Sequence, residues 1–97
     1  MSASTAGKTL ARDLTITNKR GLHARASARF VRCAEQFDAS VSVSKDQMTV
    51  GGTSIMGLMM LAAVPGSVIR VSVEGLEADE ALTALAELVE SRFGENA

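Results

Sequence analysis

The chain carries a single histidine, His23, within Gly21-Leu22-His23-Ala24-Arg25. The flanking pattern places it where a loop following a strand runs into a helix. Backbone N–H groups at such an end lack intrahelical partners, and the helix dipole is positive there. That combination attracts anions, and a neutral imidazole in the same place is a nucleophile. Arg25 adds a guanidinium suited to holding phosphoryl oxygens. The chemistry these residues fit is acceptance of a phosphoryl group by His23, with no metal and no carboxylate pair required. The same residues also suit a helix-capping or surface histidine, and the pattern alone leaves both readings open. Composition permits a Ser-His-Asp arrangement, but no serine is placed by sequence as its nucleophile.

The elements that must position His23 follow from hydrophobic periodicity. Leu10, Leu14 and Ile16 alternate with Asp13, Thr15 and Thr17, which predicts a half-buried strand. Asn18-Lys19-Arg20-Gly21 breaks it. Residues 24 to about 37 run at helical spacing. Ala24, Ala28, Val31 and Ala34, with Phe30 and Phe37, form the expected inner stripe; Arg25, Arg29, Arg32 and Gln36 line the opposite one. Cys33 falls between the stripes as a small apolar filler. Ala39, Val41 and Val43 predict a second strand, Lys45-Asp46-Gln47 a tight turn, and Met48 and Val50 a third strand closing a hairpin. Ser54 suits the N-cap of a short apolar helix from Ile55 to about Ala62. Pro65-Gly66 reads as a turn, and Ile69, Val71 and Val73 as a fourth strand. Ala78, Ala81, Leu82, Leu85, Leu88 and Val89 mark a last helix, with Asp79 and Glu80 in its first turn, Arg92 in its last and Gly94 just past it. The order β-α-β-β-α-β-α is that of an α+β two-layer domain, helices on one face of a mostly antiparallel sheet.

Composition bounds the function. At 97 residues the chain is one domain. One cysteine forms no internal disulfide, and one histidine with one cysteine cannot complete a zinc site, so no metal or cofactor is expected. No apolar run approaches a membrane span, and the first residues show no secretory apolar region, so a cytoplasmic location is expected. Net charge is −1 and the sequence holds three Phe but no Trp or Tyr, which gives no support for nucleic-acid binding. The charge is uneven: residues 1–48 hold eight basic and four acidic groups, residues 49–97 two and seven. That asymmetry either forms a basic face that steers an acidic protein partner or balances the fold internally.

Asn18-Lys-Arg-Gly-Leu-His-Ala-Arg25 resembles the active-site signature of HPr, the histidine phosphocarrier family of the bacterial phosphoenolpyruvate:sugar phosphotransferase system. Thr53-Ser-Ile-Met-Gly57, followed by Leu58-Met59-Met60, resembles the family's second signature at a similar separation. The likeness covers about residues 10–93. It implies an HPr-like open-faced β-sandwich, a four-stranded antiparallel sheet with three helices on one side. Residues 1–9 are expected as a flexible segment and 94–97 as a tail. By the resemblance His23 accepts phosphoryl on Nδ1 from phospho-enzyme I and passes it to an enzyme IIA-type histidine, while Arg25 orients the group. The chain would then be a carrier component and not a stand-alone enzyme.

Ser54 resembles the regulatory serine modified by HPr kinase/phosphorylase, although capping alone would also explain a serine there. Ile55, Met56 and Met59, together with Arg29 and Arg32, are expected to face partner proteins, with the carrier itself monomeric. The family usually has proline after the active-site arginine; Ala26 stands here. That change is similar to members of shortened, regulatory systems, so the nitrogen-type branch is a second subclass, and a binding module acting mainly through Ser54 is an alternative function.

Overall fold

The structure, a computed structural model, describes residues 8–95. Four strands, β1 (Lys8–Thr15), β2 (Ser40–Lys45), β3 (Met48–Gly51) and β4 (Val68–Gly75), alternate with α1 (Ala24–Ala34), α2 (Ile55–Met60) and α3 (Ala78–Glu90). All strand pairs are antiparallel, in the order β1-β4-β2-β3. The α+β open sandwich expected from the sequence is what the chain forms. Of the segment expected to be flexible, residues 1–7 lie outside the described residues. Strand β1 begins two residues before the periodicity indicated, because Lys8 pairs opposite Gly75 and Thr9 opposite Glu74.

Alternation decides which sheet face is covered. Leu14 on β1, Val43 on β2 and Ile69, Val71 and Val73 on β4 point into the core, while Arg70, Ser44 and Thr49 lie on or near the open side. Helix α3 covers the sheet with Ala78, Ala81, Leu85, Ala86 and Val89. Burying each Leu or Val of this kind is worth about 1.5–3 kcal/mol against exposure. The hairpin turn is two residues, Asp46 and Gln47, with Asp46 at φ 56°. A short acidic residue tolerates that left-handed backbone.

Helix α1 departs from the expected phase. Its buried residues are Ala26, Ser27, Phe30, Val31 and Ala34, whereas Ala24 is exposed and Ala28 half-buried. Alanine carries too little hydropathy to fix a helix face. The face is set by Phe30 and by the hydroxyl of Ser27, which donates to the Leu22 carbonyl at 3.2 Å. The helix also stops at Ala34, leaving Phe37 half-buried beyond it. Arg92 likewise lies outside α3, in a 3-10 turn over Arg92–Gly94.

Candidate functional site

The loop 16–23 leads from β1 to α1 and is laced to the segment after α2. Ile16 N–H donates to Ser67 O at 2.8 Å, and Leu22 N–H to Ala63 O at 3.0 Å. Gly21 makes the close approach possible: its φ is +66°, and a Cβ there would collide with the Ala63 carbonyl oxygen. Asn18, fully buried, donates from Nδ2 to Gly21 O at 2.8 Å and so closes the turn that presents Leu22 and His23. This turn, more than α1 itself, sets where the imidazole sits.

His23 is the N-cap of α1. Its Nδ1 accepts from Arg25 N–H at 3.2 Å, one of the donors a helix start leaves without a partner. A backbone N–H can only donate, so Nδ1 carries the lone pair. The ring keeps 21% of its side-chain surface open to solvent. Arg25 is exposed beside it, and no carboxylate pairs with its guanidinium among the described residues. His23 thus sits at the helix end the sequence indicated, with Arg25 two residues on and exposed.

One partner was not legible. Glu95, assigned by sequence to a tail beyond the domain, lies 2.7 Å from Nε2 of His23 through Oε2. Its Oε1 accepts from Asn18 Nδ2 at 3.1 Å. Two acceptor oxygens, from Gly21 and Glu95, therefore fix the orientation of the Asn18 amide; its Oδ1 has no partner among the described residues. Burial alone would push the Glu95 carboxyl up. Hydrogen bonds from His23 and Asn18, with the positive field of Arg29 and, when its ring is protonated, of His23, outweigh it and hold the group below its usual range. The signal that points to this contact is Gly94, which reverses the chain just past α3 at φ +75°. The partners are 72 residues apart, and no local pattern joins them.

The second motif forms a different surface. Ser54 caps α2, its Oγ accepting from Gly57 N–H at 2.9 Å, and it is exposed. Leu58 and Leu61 turn into the core. Ile55, Met56, Met59 and Met60 remain exposed, Met56 at 71%. Arg32, Ser54, Ile55 and Met56 line one open groove between α1 and α2. Arg29 does not line it: half-buried, it donates through Nη1 to the Phe93 carbonyl. Cys33 is also half-buried, and burial pushes its thiol up, away from reactive thiolate. Among the described residues no cluster of His, Cys, Asp and Glu could hold a metal ion, and no helix is long and apolar enough to cross a membrane.

Comparison with known proteins agrees with this geometry. Residues 10–91 match the family model described as the PTS HPr component phosphorylation site. The phosphocarrier protein HPr of Neisseria meningitidis is 49% identical over 86 residues, spanning 89% of this chain and 97% of that relative. The phosphocarrier protein NPr of Shewanella violacea is 38% identical over 89% of this chain and 94% of its own length. Among solved structures, HPr from Thermoanaerobacter tengcongensis superposes with a TM-score of 0.87 at 43% identity, over 91% of this chain and 99% of that one. A family model matched over most of the chain, with relatives this similar, shows that the chain belongs to the HPr family, the phosphocarriers of the phosphotransferase system.

Proposed function

We propose that His23 is the phosphoryl acceptor, taking the group on Nδ1 from phospho-enzyme I and handing it to a histidine of an enzyme IIA-type protein. The observation that carries this reading is the Arg25 N–H pointing at Nδ1 on a partly open ring. In the transfer the Nδ1 lone pair attacks phosphorus as the donor's bond to phosphorus breaks. The Arg25 amide, released from Nδ1, then turns to a phosphoryl oxygen, and the Arg25 guanidinium stabilises the others. Positioning and charge suffice for such a step. Incubation with phosphoenolpyruvate and enzyme I should yield an acid-labile, base-stable phosphate on the wild type and none on His23→Ala. Labelling that survives the substitution removes His23 from the role.

Ser54 is proposed as a regulatory phosphorylation site for an HPr kinase/phosphorylase. Its exposure and its place on the groove with Arg32, Ile55 and Met56 support this. A phosphate there adds roughly −1.5 to −2 charge beside the surface on which these residues, Met59 and the more distant Arg29 would meet partners. Thioethers make that surface adaptable to several of them. The carrier acts in the cytoplasm as a monomer in this reading. A regulatory output without sugar transport is the second reading, favoured by Ala26 and by the likeness to an NPr. Exchange of phosphoryl with a sugar-specific enzyme IIA, against exchange with a regulatory one, separates the two.

A further inference from the structure

We infer that Glu95 is a positioning residue of the carrier site, holding the Nε2 proton of His23 so that Nδ1 stays the nucleophile and the phosphorylated ring stays a good leaving group. The inference rests on His23 being the phosphoryl acceptor, as proposed above.

The two ring nitrogens have opposite partners. Nδ1 faces a backbone N–H, and Nε2 faces a carboxylate that can only accept. These contacts select one tautomer, with the proton on Nε2. When Nδ1 bonds to phosphorus the ring becomes positively charged, and the proton on Nε2 stays between the ring and Glu95. On onward transfer the N–P bond breaks, its electron pair returns to Nδ1, and a neutral imidazole departs. Were Nε2 to lose its proton first, the leaving group would be an imidazolate, a far poorer one. Among the described residues the charged group on the ring is Glu95 at Nε2; Arg25 offers its backbone N–H to Nδ1, and Arg29 acts on Glu95 from α1.

The backbone is bent to deliver this carboxylate. Arg92, Phe93 and Gly94 have φ of 60°, 55° and 75°, three successive left-handed residues. For the two non-glycine residues that conformation costs about 1–2 kcal/mol each, and it persists where the surroundings over-determine it. Here Phe93 is buried to 1% exposure, its carbonyl is held by Arg29, and Asn18 grips Glu95 itself.

The test uses the full chain with Glu95→Ala and Glu95→Gln, enzyme I, phosphoenolpyruvate and a histidine acceptor protein. Ring 15N resonances of His23 should show the Nε2–H form in the wild type and a mixture of tautomers in Glu95→Ala. Onward transfer by both variants should match wild type near pH 6 and fall by about tenfold toward pH 9, one decade of rate. Unchanged tautomers and an unchanged pH profile, with His23 still labelled, overturn the role of Glu95 alone. Labelling away from His23 overturns the carrier reading instead.

Discussion

The two signature motifs build opposite kinds of surface. The His23 corner is polar and fastened from three parts of the chain: the loop 18–22, the start of α1 and the turn 91–95. The α2 face is apolar and has one side-chain cap, Ser54, with Leu58 and Leu61 as its anchors. A reacting ring must be held within a narrow geometry, whereas a surface meeting several partners gains from side chains that repack. In the proposed reading, the corner tied by several hydrogen bonds is where the bond forms, and the apolar face with a single cap is where proteins dock.

The contrast can be broken within α2 itself. Leu58→Ala, on the buried side, should lower unfolding stability by about 2–5 kcal/mol, and Met56→Ala, two residues away and exposed, should stay within about 0.5 kcal/mol. Chemical denaturation measures both. Equal losses would mean that the exposed thioethers are structural after all. At the other corner, Gly21→Ala should cost about 2 kcal/mol or more, since it adds both left-handed strain and a clash with Ala63. It should also slow phosphorylation, because the same turn aims His23; loss of stability with an unaltered rate would separate the turn from the chemistry.

Much of this was legible in the residues. Strand β4 reads from Ile69, Val71 and Val73, and the hairpin from Lys45-Asp46-Gln47, because alternation and turn chemistry are local signals. Ser54 as a cap is equally local. The phase of α1 was not, since Ala24, Ala26 and Ala28 are indistinguishable by hydropathy and only tertiary packing on Phe30 chooses among them. Glu95 was least legible: its partner comes from the opposite end of the chain, and its path depends on non-glycine residues in a left-handed turn.

Smaller effects sharpen the comparison further. Ser54→Ala should cost about 1 kcal/mol by leaving the Gly57 amide uncapped, with His23 labelling intact; a loss of labelling instead would tie the two surfaces together mechanically. Acid should loosen the His23 corner. The Glu95 carboxyl is held below its ordinary value near 4.5 in the folded chain, so its contribution is full above that value and disappears as pH falls through the lowered one. The stabilities of wild type and Glu95→Gln, read from denaturation curves, should therefore converge as acid protonates the Glu95 carboxyl. Parallel curves would mean that Glu95 adds no linked stability.

The most direct measurement is the identity of the phosphorylated atom. After reaction with phosphoenolpyruvate and enzyme I, 31P and 15N resonances should show one phosphate, bonded to Nδ1 of His23. Phosphate on Nε2, on another residue, or on none would contradict the account.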